Sequence, residues 1–174
     1  MTHELNTSVL GSDVSLRFNA PWAAYWLAFL RILTGWWMMH GGLTKLMEWP
    51  FSAKGYMLFA SQGTVLAPVL QLFGNNPTLL AFTDVMIPVG EFLIGLGVLL
   101  GALTRLAAFF GAFLMTFFYF TNADWGHGLF SGDMMGLLLF ITIAIFGAGR
   151  VFGVDQWLEQ MDWAQSRWAR LILG

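Results

Sequence analysis

Four apolar runs, divided by breaks rich in proline, glycine, asparagine and charge, constrain this chain more than any other feature. They extend from Pro21 to about Met47, from the Asn76-Pro77 break to Leu103, from Leu106 to Thr121 and from Ser131 to Gly149. A helix rises about 1.5 Å per residue, so runs of this kind suit the hydrocarbon core of a bilayer. Within that core backbone polar groups can be satisfied only in helices or closed barrels. The expectation is an all-α membrane protein: a four-transmembrane-helix bundle with interfacial helices after span one and at the C-terminus.

Composition removes the main alternatives. Of 174 residues, 57% are hydrophobic and 10% charged, against roughly 25% charged in an average soluble domain, which would leave too much apolar surface for water. Eight Lys and Arg against ten Asp and Glu give a net charge of −2 without a basic stripe, so nucleic acid is not an expected partner. The chain has no cysteine, which excludes disulfides, thiolate metal sites and cysteine nucleophiles.

Residues 1–20 are polar, with Glu4, Asp13 and Arg17, and lack the basic start, apolar centre and small-residue cleavage site of a signal peptide. They are read as a polar cytoplasmic segment. Residues 21–150 form the transmembrane domain, opened by Asn19 as a cap and Pro21 in the first turn. Inside it, residues 48–77 are interrupted by Pro50, Gly55, Gly63, Pro68 and Gly74, and read as two short interfacial helices. Pro88 predicts a kink in span two. The short break at Gly101 to Arg105 makes spans two and three antiparallel neighbours. In residues 151–174, Trp157, Met161, Ala164, Trp168 and Leu171 recur at steps of four and three, the pattern of an amphipathic helix on the membrane surface. Arg17, Arg105, Arg150, Arg167 and Arg170 then share one side while Lys45 and Lys54 take the other, which puts both termini in the cytoplasm.

A charge inside a span costs a few kcal/mol and asks for a partner or a purpose. Counting helical rise from the span ends gives Arg31 and Glu91 similar depths near the middle, which predicts an ion pair between them. His40, Lys45, Glu48, Asp84, Asn122, Asp124, His127 and Asp133 gather in the outer half, describing one polar pocket open to the outside. Plainer readings stand beside this one: arginines snorkel, Lys45 and Glu48 suit an interface, and Ser131 with Asp133 can cap the fourth span. Gly90, Gly95, Gly97 and Gly101 suit close helix packing. Haem is disfavoured, because a bis-histidine site wants both ligands in facing helices and His127 lies outside a span. No metal-ligand spacing or nucleotide loop stands out.

The segments Arg31-Ile32-Leu33-Thr34-Gly35-Trp36 and His40-Gly41-Gly42-Leu43-Thr44-Lys45-Leu46 resemble the opening signature of the DoxX/DoxD family. Glu91-Phe92-Leu93-Ile94-Gly95-Leu96-Gly97 through Leu100-Gly101-Ala102-Leu103-Thr104-Arg105 resembles its second signature, and Gly147-Ala148-Gly149-Arg150 with Asp155 its end. The resemblance runs from about Arg31 to Leu158. It implies a small, multi-pass, four-helix protein of the prokaryotic cell membrane. The DoxD type is the membrane partner of DoxA in a thiosulfate:quinone oxidoreductase, and the long 48–77 insert is closer to that type. No fused DoxA region is present, so thiosulfate activity would need a separate DoxA-like chain.

Three function classes follow. The first is an integral membrane subunit of a quinone-linked respiratory oxidoreductase. In that reading His40, Lys45 and Asp124 are the candidate quinone-binding residues, while Glu91, His127 and Asp133 are the candidate catalytic groups, supplying a hydrogen-bond donor and a proton path. The second is a non-catalytic accessory subunit whose phenylalanine-rich faces meet lipids and other subunits of a membrane redox complex. The third, a small transporter, is disfavoured by the lack of an inverted repeat.

Overall fold

The computed structural model describes residues 2–9, 12–122 and 128–174, with side chains from residue 19 onward within those limits. The polar N-terminal segment is a hairpin of β1 (Thr2–Val9) and β2 (Ser12–Asn19), antiparallel, with Leu5 opposite Leu16 and Thr7 opposite Val14. In β2 Val14, Leu16 and Phe18 alternate with polar residues, the period of a strand, whereas β1, with Leu5 and Val9 its only apolar residues, carries no such signal of its own.

Helix α1 (Ala20–Met47) follows directly, with Pro21 in its first turn; Asn19 sits at the cap position without a side-chain cap bond. The insert contains a π-helical turn, Tyr56–Ala60, and α2 (Ala67–Asn75). The side chain of Asn76 accepts from the amides of Thr78 and Leu79 and starts α3 (Pro77–Leu100), which carries Pro88 inside it and ends on left-handed Gly101. After a tight turn come α4 (Thr104–Thr121) and α5 (Gly132–Phe146), the latter capped by Ser131 and closed by left-handed Gly147.

The expected single C-terminal amphipathic helix does not form. Residues 148–174 instead make two 3-10 turns, Ala148–Arg150 and Asp162–Gln165, and two short helices, α6 (Asp155–Leu158) and α7 (Ala169–Ile172). The physical reason is Asp155, which is fully buried. Its carboxylate accepts from the amides of Leu103 at 2.7 Å, Thr104 at 2.8 Å and Gly174 at 3.1 Å. It thereby supplies the cap that α4 lacks locally and folds the segment back on itself. Ala164, Ala169 and Leu173 are buried together, while Trp157, Trp168 and Leu171 stay exposed.

Helices α1 and α3 run antiparallel, backbone against backbone. A Cβ on Gly42 would strike the Phe92 backbone and the Pro88 carbonyl, and one on Gly95 would strike the backbone of Met39. This is the small-residue seam of membrane helices. Of the other glycines assigned to packing, Gly97 faces Ala107, whereas Gly90 faces open space. Met38, Val98, Ala108, Met115, Phe140 and Ile143 join α1, α3, α4 and α5 in the main core. Outside it, Trp26, Phe29, Leu33, Phe109, Phe113 and Ile145 are exposed, an outer surface suited to lipid. Helices α3 and α4 are long and apolar enough to cross a bilayer, whereas α5, at 15 residues, is shorter.

Candidate functional site

The Gly101 turn joins the C-terminal end of α3 to the N-terminal end of α4, and between the halves of these helices remote from that turn lies a cavity of about 560 Å³. Ligand pockets commonly fall between about 300 and 1,000 Å³. Met86, Ile87 and Glu91 of α3 face Phe113, Phe117 and Phe118 of α4, and the insert covers the space with Phe51, Tyr56, Leu70 and Phe73. Buried Ala53, Met57 and Leu70 pack with Phe73, Leu80 and Phe117, so apolar burial holds this cover in place. The Asp84 carboxylate adds a tie, accepting from the Ala53 amide at 2.7 Å.

One end of the cavity carries an ion pair. Lys45 Nζ lies 2.5 Å from Glu91 Oε2, with the Glu91 side chain only 4% exposed. The ammonium also donates to the Gly41 carbonyl at 3.4 Å. Lys45 occupies the last turn of α1, where the helix dipole favours a cation. The absent side chain of Gly42 lets α1 approach α3 closely enough for the two charges to meet.

The other polar wall is a hydrogen-bond chain. The Tyr56 hydroxyl lies 2.7 Å from Thr121 Oγ1 and donates to Asn122 Oδ1 at 3.1 Å, and the Asn122 amide donates in turn to the Asp133 carboxylate. Burial pushes the Tyr56 phenol above the ordinary tyrosine range; the Thr121 hydrogen bond opposes this and the Asp133 charge adds to it. The phenol therefore keeps its proton at neutral pH. The cavity thus offers an ammonium and a carboxylate on one wall and a hydroxyl with an amide on the other, among aromatic and aliphatic side chains.

Of the residues expected at a site, Lys45, Glu91 and Asp133 line this cavity, together with Asn122. His40 does not: it is exposed on α1, its ring 5.9 Å from that of Trp36. Asp124 and His127 lie outside the described residues. Tyr56, Thr83 and Thr121 were missed by sequence reasoning; as neutral side chains in mixed surroundings they carry no charge to mark them.

The expected Arg31–Glu91 pair is not formed. Arg31 is 1% exposed. Its Nη1 donates to the carbonyls of Val98 at 3.3 Å and Leu99 at 3.2 Å, and its Nη2 to those of Val151 at 3.2 Å and Phe152 at 3.1 Å. Equal depths do not bring Arg31 and Glu91 together, because α1 and α3 are staggered. Gly35 meets Leu99 and Gly42 meets Phe92, so Arg31 lies beside the last turn of α3 while Glu91 faces Gly41 and Lys45. Arg31 and Asp155 latch the α3–α4 turn to the C-terminal segment, and Arg105 extends the latch by donating to the carbonyls of Ala144 at 3.2 Å and Arg170 at 2.7 Å.

No curated protein and no solved structure matches this chain. The DoxX family's sequence model matches residues 26–123, more than half of the chain. The match takes in Arg31, the Lys45–Glu91 pair, Tyr56 and Asn122, and stops before Asp133 and the C-terminal latch. By this match the chain belongs to the DoxX family, a family of membrane proteins.

Proposed function

We propose that the chain is a four-span membrane subunit of a quinone-linked oxidoreductase, and that its cavity receives the quinone head group. The observation that carries this reading is the Lys45–Glu91 pair set in an apolar cavity. A quinone presents carbonyl acceptors and its reduced form presents hydroxyl donors. An ammonium beside a carboxylate serves both, Lys45 donating to the first and Glu91 accepting from the second. Tyr56 and Asn122, on the other polar wall, supply neutral hydrogen-bond partners. Electrons would come from a partner chain. A DoxA-like protein oxidising thiosulfate is the partner that the DoxD resemblance suggests.

A second reading, a non-catalytic subunit of a membrane redox complex, draws on the Arg31 and Asp155 latch. Several residues that carry the family resemblance, Arg31, Thr104, Arg105, Gly149 and Asp155, lie at this latch and away from the cavity. The two readings separate on one experiment. The protein is purified with its partners in mild detergent, and bound quinone and the rate of quinone reduction are measured after Lys45→Met and Glu91→Gln, with His40→Ala as a control outside the cavity. Losses in the first two variants and not in the control support the quinone site. Unchanged quinone content and rates in all three favour the accessory role.

A further inference from the structure

The cavity's exposed lining shows where it meets its surroundings. Phe82 is 59% exposed, Met86 49% and Phe113 65%, yet all three also line the cavity. Phe82 and Met86 stand one helical turn apart on α3, and Phe113 of α4 lines the same cavity; Val69 of α2, also in the lining, is exposed at 47%. All four are apolar, and α3 and α4 are the two helices with the length and hydropathy to cross a bilayer. A gap bordered by exposed aromatic and thioether side chains on such helices opens onto hydrocarbon, because nothing along its border would hold water. The cover over the cavity is different in kind. Ala53, Met57 and Leu70 are buried, and the cover is tied down through Tyr56 and Asp84.

We infer that the cavity is loaded sideways from the membrane, through a portal between α3 and α4 framed by Phe82, Met86 and Phe113. Its ligand is a lipid-dissolved molecule with a polar head group and a hydrocarbon tail. The head group reaches the Lys45–Glu91 pair, and the tail remains in the portal against Phe82, Met86 and Phe113. This inference rests on the quinone reading for the identity of the head group and adds the route and the tail. It assigns separate work to the two kinds of lining: polar groups orient the head, and the portal selects for a tail, since each buried methylene adds to the affinity. The competing route is aqueous, past exposed Ser52 in the insert, and it would give no role to a tail.

The test uses the unaltered protein in lipid nanodiscs and a benzoquinone bearing an alkyl tail that ends in a photoreactive diazirine. After illumination the labelled residues are mapped by mass spectrometry, with and without an excess of unlabelled decyl-benzoquinone. The expected result is labelling at Val69, Phe82, Met86 or Phe113 that the competitor removes. Competed labelling confined to Ser52 and its neighbours, or to the far faces of α1 and α5, overturns the portal and leaves the quinone site standing. Labelling that no competitor reduces overturns the quinone site and the portal with it. A second measurement follows binding of decyl-benzoquinone and of unalkylated benzoquinone to the Phe113→Trp variant, whose substitution lies at an exposed position and narrows the gap. Slower binding of the tailed quinone by roughly tenfold, with the tailless one little changed, supports the portal. Equal effects on both, or none on either, count against it.

Discussion

Lys45 and Glu91 meet among apolar and aromatic side chains, with Glu91 almost wholly buried and Lys45 about a third exposed, so the carboxylate is the charge that loses most when its partner is removed. Truncating one member of such a pair leaves an uncompensated charge and costs about 3–5 kcal/mol, whereas replacing both with apolar residues can be close to neutral. Lys45→Met and Glu91→Met should each lower the melting temperature in detergent, and the double variant should recover most of the loss while failing to bind quinone. A double variant as unstable as the singles would show that the pair packs rather than pairs. Arg31 yields a different expectation, since its fork serves four carbonyls on two segments. Arg31→Met should cost about 3 kcal/mol, and Arg31→Lys should restore little of it, because one ammonium cannot reproduce a planar fork bridging α3 and the 151–152 segment. Amide hydrogen exchange at residues 151–155 is the readout, with wild-type protection in either variant counting against the latch. At this scale the charges were visible in the sequence and their partners were not. Pairing by depth assumes flush helix ends, whereas Gly35, Gly42 and Gly95 fix a stagger that only the packed backbones reveal.

Among the elements, the insert is the one whose position decides whether a cavity exists at all. Its two short helices could be read from proline and glycine spacing, but its docking could not, since that depends on Tyr56 reaching Thr121 and Asn122 across 65 and 66 residues. Tyr56→Phe removes the donor to Asn122 and should loosen the cover by about 1 kcal/mol. Faster hydrogen exchange over residues 51–60, with the α4–α5 core unchanged, is the expected signature. The phenol's raised pKa fixes the sign of the pH effect. The folded protein holds the proton more tightly than the unfolded chain, so the contribution is complete below the ordinary tyrosine value and fades as pH rises through the higher folded one. Exchange over the insert should therefore be steady through neutral pH once corrected for intrinsic rates, and its protection should fall only in the alkaline range. A loss of protection on acidification would point to another group. The C-terminal segment teaches the opposite lesson about patterns. Its steps of four and three residues were real, yet buried Asp155 also accepts from the Gly174 amide, which brings the two ends of the segment together as a continuous helix could not. Closure of the segment onto Asp155 outweighed local periodicity.

For the whole molecule the question is how many helices cross the bilayer. Helices α3 and α4 qualify by length and hydropathy. Helix α1, with 28 residues, is about 42 Å long, enough to span at a tilt, but it carries Arg31, Lys45 and several tryptophans. Helix α5 has 15 residues, about 22 Å, which falls short of the roughly 30 Å core unless the bilayer thins beside it. Two features of the molecule favour four crossings. The apolar faces of α1 and α5 are as exposed as those of α3 and α4, with Trp26, Phe29 and Leu33 on one and Ile145 and Phe146 on the other. The cations also sort by end. Arg105 and Arg150 sit with the C-terminal segment that carries Arg167 and Arg170, at the end where Arg31 and Asp155 join that segment to the α3–α4 turn. Lys45 lies at the far end of α1 and Lys54 in the insert. By the positive-inside rule the expected orientation has the arginine end in the cytoplasm. Because the chain has no cysteine, single cysteines report cleanly. In intact cells a membrane-impermeant maleimide should label Leu129→Cys, at an exposed position before α5, and should leave Gln160→Cys unlabelled until the membrane is opened. The reverse pattern would invert the protein and put the insert over the cytoplasmic face. Labelling of both from outside would mean that α5 does not cross, and the bundle would then have an odd number of spans.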